Sequence, residues 1–541
     1  MSLLSNISKV IESITFKRLY QFCKTNNILT PKNSGFKEMD STVLQCIHLT
    51  NRLYEELDKG HEICMIFLDV SKAFDRVWHR GLLYKLECIG VKGILLKWFS
   101  SYLGNRRQRV VIKGQMSNWR TINAGVPQGS VLGPILFLIY VNDLVDNVTS
   151  NISLFADDTS LYRTVHSHLD VGILNNDLSC ISDWGKQWLV NFNPCKTKYV
   201  VFSRRKRARV NYEIVFENVG LLRETSHKHL GIWFSDDLTW GRHVEHIFNK
   251  CSKRLNILKS IQVRAPRACL ESIYEHMILP IIEYANVIYD NMPLHLSNKL
   301  ESFQRQAALA CTGGYKLTSY NALLVELGWS PLLVRRKCHR LIVLFKITNK
   351  IAPPYLHDIV GPSQVSYNLR HSDRLRAPFF GKKFCFNSFV PKTIRDWNEL
   401  PVDIIQSPSL NIFKSRIKNK FYNEKNYIFK WGTGAGSIQL SRMRMGLSGL
   451  NFHRFLYNFI DSPVCLHCFS PVEDVAHFLN VCPHFAAHRQ KLVTQLALLI
   501  PSFTEHGIHK LLFGTSELNL QDNIRMLKII QEYITLTKRF L

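Results

Sequence analysis

The 541 residues carry 69 Lys and Arg against 42 Asp and Glu, a formal net charge of +27 at pH 7. With 46% hydrophobic and 21% charged residues the composition is globular, which excludes a fibre or a disordered tail; at about 150 residues per domain the length allows three or four domains. So large a surplus of cations points to polyanionic partners, because Lys and Arg neutralise phosphates and release condensed counterions.

The first residues, Met1-Ser2-Leu3-Leu4-Ser5-Asn6, lack a basic stretch followed by a long apolar one, so no secretory signal is expected. Up to about residue 235, short apolar runs alternate with amphipathic stretches, a mixed α/β pattern. Ile63 to Leu68 is an unbroken apolar run of strand length, which predicts a buried strand ending at Asp69. Phe74, Val77, Leu82, Leu83 and Leu86 then recur at helical spacing. Gly125 to Ser130 reads as a turn opening an apolar helix from Val131, with Ser130 able to cap it and Pro134 tolerated in its first turn. The longest apolar stretch, Val131 to Val141, is broken by Gly133 and Pro134 and falls far short of the ~20 residues a bilayer needs, so no membrane partner is expected. Ile152 to Tyr162 reads as strand, turn, strand, with Asp157 and Asp158 as the two-residue turn. Tyr199 to Phe202 and Leu230 to Phe234 are further expected strands. From Trp240 to Gly328 the spacing of Ile247, Leu255, Leu258 and Ile261 predicts helices, with Lys250, Lys253, Arg254 and Lys259 between them. Residues 329 to 430 are basic and Pro-punctuated with weak periodicity, and 431 to 541 hold a Cys/His group before a C-terminal helix.

Three segments carry chemistry: Asp69 in Phe67-Leu68-Asp69-Val70-Ser71-Lys72-Ala73-Phe74-Asp75, the turn Gly125-Val126-Pro127-Gln128-Gly129-Ser130, and Asp157-Asp158 at a hairpin tip. Phosphoryl transfer between nucleotides suits two divalent ions about 4 Å apart, one at the attacking hydroxyl and one at the leaving oxygen. Mg²⁺ takes hard oxygen ligands and keeps several waters, so a few carboxylates on rigid elements suffice. Asp-Asp in a turn is by itself usually only solvated, and Pro-Gln-Gly usually only a turn; it is their combination, in this order, that points to catalysis.

Fourteen cysteines scattered through a chain without a visible signal predict reduced thiols. One group departs from the scatter: Cys465, Cys468, His477 and Cys482 read C-x₂-C-x₈-H-x₄-C, a ligand set that closes a tetrahedron around a structural Zn²⁺. His467, His484 and His488 lie close enough to leave the third ligand open.

Together these motifs resemble the reverse transcriptase of a Jockey-like non-LTR retrotransposon, from Leu3 to beyond the Cys/His group. The resemblance implies an α/β (α+β) right-hand polymerase: fingers and palm over 1–239, a helical thumb over 240–328, a basic connector over 329–430 and a small zinc-knuckle-like region over 431–541. It implies RNA-directed DNA polymerase activity, with RNA template, DNA primer or target and deoxynucleoside triphosphates as partners, and an intracellular ribonucleoprotein in nucleus or cytoplasm. Asp69, Asp157 and Asp158 take the place of the metal-binding aspartates. Phe74 stands where the family excludes a ribose 2′-hydroxyl, although periodicity alone reads it equally well as a helix core residue. Gln128 and Gly129 match the segment lining nucleotide and template. Lys196, in Asn193-Pro194-Cys195-Lys196-Thr197, matches a proton donor to pyrophosphate or else is a solvated lysine. Lys37, in Ser34-Gly35-Phe36-Lys37, matches a triphosphate contact, and His229-Leu230-Gly231-Ile232 the primer-gripping hairpin. Ser203-Arg204-Arg205-Lys206-Arg207 reads as a nucleic-acid contact, an import signal or a solvated loop. No ribonuclease H signature is visible between Gly328 and Trp431. The upstream endonuclease and the preceding fingers segment are expected to be missing, as in a truncated copy. The alternative is a catalytically inactive or co-opted element that only binds RNA or DNA. An RNA-templated RNA polymerase shares the palm logic but must admit the 2′-hydroxyl, which Phe74 opposes; a bacterial intron maturase lacks the later regions.

Overall fold

The structure is a computed structural model that describes residues 4–205, 212–262, 264–360, 374–424, 427–432, 434–500, 507 and 512–540. It divides into two compact units. The first comprises Met1–Arg242, Ile288–Asn291 and Val343–Glu399; the second comprises His243–Val287, Met292–Ile342 and Leu400–Leu541. The basic segment expected as a connector, 329–430, contains the helices Leu332–Thr348, Phe389–Asn398 and Leu410–Phe421 and contributes to both units.

In the first unit two helices, α1 (Asn6–Thr25) and α2 (Thr42–Asp58), precede strand β1 (Glu62–Leu68). All seven residues of β1 are buried, as an apolar run without polar alternation requires. Helices α3 (His79–Cys88) and α4 (Gly93–Leu103) follow, then the short strands β2 (Arg106–Gln108), β3 (Val111–Ile112), β4 (Gln115–Met116) and β5 (Arg120–Ile122). After these come α5 (Gly133–Tyr140), the hairpin β6 (Asn151–Phe155) and β7 (Asp158–Val165), α6 (His168–Gln187) and β8 (Lys198–Phe202). Five two- to four-residue strands follow: β9 (Val215–Phe216), β10 (Val219–Gly220), β11 (Leu222–Arg223), β12 (Ser226–His229) and β13 (Ile232–Ser235).

The main sheet has the order β11-β8-β1-β7-β6, with β1 at its centre and antiparallel to both neighbours. Side chains alternate across it. Cys64, Ile66 and Leu68 face a core shared with Leu82 and Leu86 of α3, Leu136 and Tyr140 of α5, and Leu174, Leu178 and Ile181 of α6. Each fully buried Leu or Ile in that core contributes about 1.5–3 kcal/mol. Phe67, on the opposite face, stacks on His227 with ring centroids 4.1 Å apart.

Several local expectations shift. Phe74 lies on a 3₁₀ turn (Ala73–Arg76) rather than on a helix, and α3 starts only at His79. The apolar helix starts at Gly133, two residues later than expected, and the amides of Val131 and Gly133 go to Glu12 and Ser130. Leu230 to Phe234 is the turn and second strand of the β12–β13 hairpin: Leu230 and Gly231 both have positive φ (45° and 84°), the requirement of a two-residue hairpin turn.

The second unit is helical among its described residues, with most of the helix Gly241–Ile261 and the long helices Leu294–Thr312, Gly434–Arg444, Ala486–Ala497 and Leu520–Leu536. A buried ionic network lies inside it. Arg267 pairs with Glu271 at 2.8 Å and Glu326 at 2.6 Å, and Arg444 with Glu326 at 2.6 Å. Among the described residues, no helix is long and apolar enough to cross a membrane.

Candidate active site and Cys/His centre

Asp69 follows the last residue of β1, where the ladder gives way to the segment around Asn193. The Asn193 amide donates to the Asp69 carbonyl at 2.8 Å, the Ser71 amide to the Asn191 carbonyl at 2.9 Å, and the Asp69 amide to Thr197 Oγ1 at 3.4 Å. Lys196 is thereby held at the strand exit, its Nζ 3.9 Å from Asp69 Oδ2. Lys196 is largely exposed and Asp69 partly so, and this pair adds at most about 1 kcal/mol.

The β6–β7 hairpin brings the other two carboxylates. Phe155 pairs with Asp158, so the turn is Ala156-Asp157, one residue earlier than the sequence reading, and Asp158 is the first residue of β7. The β1–β7 register sets Leu68 against Thr159, and one further step along it brings Asp69 opposite Asp158. Ala156 has φ 56°, a left-handed conformation that costs a non-glycine residue about 1–2 kcal/mol. The strain is held from a distant segment. Asn33 Oδ1 accepts from the amides of Gly35 (3.0 Å) and Ala156 (3.3 Å), and the Ser34 amide donates to the Leu154 carbonyl at 2.9 Å. Gly35 lies so close that a Cβ there would come within 2.4 Å of the Ala156 nitrogen.

Burial raises the Asp157 carboxyl above its ordinary range, and the charge of Asp69 raises it further. Asp158 is raised likewise by burial, then by Asp157 and Asp69. A group of carboxylates in which burial and neighbouring charge raise Asp157 and Asp158 is a donor set that divalent cations relieve, and hard oxygens suit Mg²⁺. The residues present therefore fit such ions.

The turn from Gly125 is pinned to the segment that follows Asp69. The Gly125 amide donates to the Val77 carbonyl and the Val126 amide to the Phe74 carbonyl, both at 2.8 Å. Gln128 Nε2 donates to Asp75 Oδ1 at 3.2 Å. Gly125 has φ 91°, and a Cβ there would meet the Asp75 carbonyl at 2.7 Å, so glycine is required. Gly129 is exposed, with φ 96°. Ser130 Oγ accepts from the Gly133 amide at 2.8 Å, and buried Glu12 accepts from the amides of Val131 (2.8 Å) and Leu132 (3.3 Å). A carboxylate at the positive end of α5 is favourable, but nothing in the sequence of α1 singles Glu12 out.

Phe74 is half-buried, stacked on Phe137 with centroids 4.5 Å apart and edge-on to the exposed ring of Phe36 at 6.0 Å. Lys37 turns inward: its Nζ donates to the Thr30 carbonyl at 2.6 Å, and burial holds it below the usual lysine range against the opposing pull of Asp40. His229 is buried beside Phe67, its imidazole pushed down to about 3 by burial and by His227. In the basic run, Arg205 donates to the Gly60 carbonyl and Arg204 to that of Asp237, both at 3.0 Å. Lys206 and Arg207 lie outside the described residues.

In the second unit Cys465, Cys468, His477 and Cys482 bring one ligand atom each within 4.8 Å of one another. Cys465 Sγ and Cys482 Sγ are 3.9 Å apart, and Cys468 Sγ lies 3.3 Å from His477 Nε2. Asp474 fixes His477 through its amide at 2.7 Å. His467 instead stacks on His484, with centroids 4.4 Å apart, so among the neighbouring histidines it is His477 that completes the quartet. Three thiols and an imidazole with no position left open fit a structural Zn²⁺. The quartet is not a self-contained knuckle: Cys465 and Cys482 belong to one apolar core with Leu440, Met443, Leu492, Met526 and Ile530.

Residues 1–234 match the family described as reverse transcriptase (RNA-dependent DNA polymerase). Over 331 residues the chain is 31% identical to the probable RNA-directed DNA polymerase from transposon BS of Drosophila melanogaster, covering 58% of this chain and 36% of that protein. It is 30% identical over 326 residues to the RNA-directed DNA polymerase from mobile element jockey of the same fly, covering 58% and 35%. The chain thus spans about a third of the length of these relatives. A Pol polyprotein from the type-1 retrotransposable element R1 of Bradysia coprophila aligns over 501 residues at 24% identity, covering 89% of this chain and 46% of that protein. Among solved structures, a telomerase from Candida albicans in complex with an RNA fragment aligns over 64% of this chain and 55% of its own, at 13% identity and a TM-score of 0.29, a likeness too slight to build on. Residues 1–234 thus match a reverse transcriptase domain, and the fly relatives named above are RNA-directed DNA polymerases of mobile elements.

Proposed function

We propose that this chain is an RNA-directed DNA polymerase of a non-LTR retrotransposon, extending a DNA primer with deoxynucleoside triphosphates along an RNA template. The observation that carries this reading is the convergence of Asp69, Asp157 and Asp158, two of whose carboxyls are raised by burial and by their neighbours' charge. Asp69 and Asp157, supported by Asp158, would hold two Mg²⁺ ions. Bound there, these ions would ease deprotonation of the primer 3′-hydroxyl and neutralise the oxygens of the leaving pyrophosphate. The primer oxygen, its proton passing to solvent water, attacks the α-phosphorus, the bond to the β-phosphate oxygen breaks, and Lys196, at the rim beside Asp69, hands a proton to the pyrophosphate. The Gly125 turn offers a backbone surface, with Gln128 and Gly129 exposed, for the incoming nucleotide and template strand. Phe74, braced on Phe137, excludes a 2′-hydroxyl and so selects deoxynucleotides. Lys37 contacts the triphosphate only after leaving the Thr30 carbonyl. Cys465, Cys468, His477 and Cys482 would hold a structural Zn²⁺, and the basic region around them contacts nucleic acid. The protein acts inside the cell, as a ribonucleoprotein of nucleus or cytoplasm.

The test is primer extension on an RNA template by the full chain and its Asp69→Asn variant. Loss of at least about a hundredfold in rate is expected with folding and RNA binding intact; equal rates would overturn the assignment.

A further inference from the structure

Strands β2 to β5 form one projecting hairpin arm that no part of the active-site account uses. β2 pairs with β5 (Arg107 against Thr121) and β3 with β4 (Val111 against Met116), the chain reversing at Lys113-Gly114, both with positive φ. At about 3.3 Å per residue the eight residues from Arg106 to Lys113 span roughly 26 Å. Every residue from Arg107 to Thr121 is exposed. From Gly104 to Gly125 the segment contains Arg106, Arg107, Arg109, Lys113 and Arg120 and not one Asp or Glu. A charge that dense on an element so short is self-repelling, so its presence calls for an anionic occupant.

The arm also carries a ring. Trp119 is 54% exposed, with the Arg109 guanidinium 4.6 Å and that of Arg107 6.0 Å from its ring. The β2–β5 register explains the cluster: residues opposite one another share a face, so Arg107, Arg109 and Trp119 line one side of the ribbon. Val110, Val111, Ile112 and Met116 continue the exposed apolar surface toward the tip. Cations interleaved with an aromatic on an acid-free surface match a strand whose phosphates meet Arg and whose unpaired bases stack, rather than a duplex whose bases are enclosed. The arm's return strand leads through Asn123 and Ala124 into the Gly125 turn, whose bonds to the Val77 and Phe74 carbonyls fix the arm's root to the segment that follows Asp69.

We propose that this arm grips single-stranded nucleic acid through Arg107, Arg109 and Trp119, and that its occupant is the unpaired template approaching the site. The second half rests on the polymerase reading; the first does not. The experiment measures binding of a fluorescein-labelled single-stranded RNA 20-mer to the full chain by anisotropy across 50–300 mM KCl, with primer extension run alongside. The variants are Arg107→Gln/Arg109→Gln, Trp119→Ala and Trp119→Phe; all three positions are exposed, so folding is spared. At about 0.7 counterions released per phosphate contact, the double arginine variant should flatten the slope of log affinity against log salt by about 1.4. Trp119→Ala should weaken binding at least about fivefold and Trp119→Phe should restore most of it. Affinity and slope unchanged in all three variants would overturn the proposal, as would a Trp119→Ala variant that loses self-association without losing RNA. Weakened binding in a chain that extends no primer would support the arm as a single-strand site while removing the polymerase reading. Extension by arm variants that bind like the wild type would do the reverse.

Discussion

Gly35→Ala should abolish the proposed primer extension without touching any of the three aspartates. The alanine Cβ would come within 2.4 Å of the Ala156 nitrogen and 3.0 Å of its Cα, whereas ordinary contact begins at 3.4 Å. The obstacle is backbone on both sides, so the turn carrying Asp157 has to yield by about 1 Å. A misplacement of about 1 Å in a reacting group costs on the order of a hundredfold in rate. The same overpacking should lower stability by about 1–3 kcal/mol, because the Asn33 bonds that restrain Ala156 resist the movement. The assay is single-turnover primer extension with a thermal melt of the same preparation. Gly172→Ala serves as control. That residue is exposed within α6 and meets nothing within 4 Å, so it should gain up to about 1 kcal/mol of helix stability and leave the rate unchanged. A Gly35→Ala enzyme that is folded and extends primer at the wild-type rate would refute the claim that this glycine sets the aspartate turn.

Further outcomes follow from the same geometry. Since the Asp158 carboxyl is raised in the folded chain above its ordinary 3.8, the native state holds a proton that the unfolded chain gives up. Its charge therefore destabilises the fold at neutral pH, and that penalty fades as pH falls through the raised value toward 3.8. In EDTA, Asp158→Asn should accordingly melt above the wild type at pH 7.5 and level with it near pH 4; a lower melting temperature at both would contradict the crowding of charge. Elemental analysis of purified protein should find about one zinc per chain, and Cys465→Ser should lose it and unfold the core around Leu440 and Ile530, read by hydrogen exchange. An undiminished exchange pattern after zinc removal would count against a structural metal. Phe74→Val should admit ribonucleotides at least tenfold better relative to deoxynucleotides, and unchanged sugar selectivity would leave Phe74 only its packing on Phe137.

Strand β1 was legible because an apolar run with no polar alternation needs cover on both faces, and its end marked Asp69. The Cys/His quartet was legible from spacing, but which histidine joins it was not, since that depends on His467 being drawn off by His484. The sequence pattern puts the aspartate turn one residue late: period-two patterning marks strands, whereas Asn33 and Gly35, more than a hundred residues away, decide which residues reverse. Glu12 escaped notice because, apart from Ser8 on its own helix, its partners are two distant backbone amides, which leave no trace in composition. The arm was invisible for a different reason. Its strands of two or three residues are exposed on both faces, so there is no alternation to read; only its lack of acids gives it away.

The central claim is that Asp157 and Asp158 serve Mg²⁺-dependent polymerisation. It is tested most directly by incorporation of labelled dTTP on poly(rA)·oligo(dT) with Mg²⁺, comparing the chain with its Asp157→Asn/Asp158→Asn variant. Incorporation by the wild type that disappears in a variant still folded and still binding RNA is the expected result. Equal incorporation by both, or none by a folded, RNA-binding wild type, would contradict it.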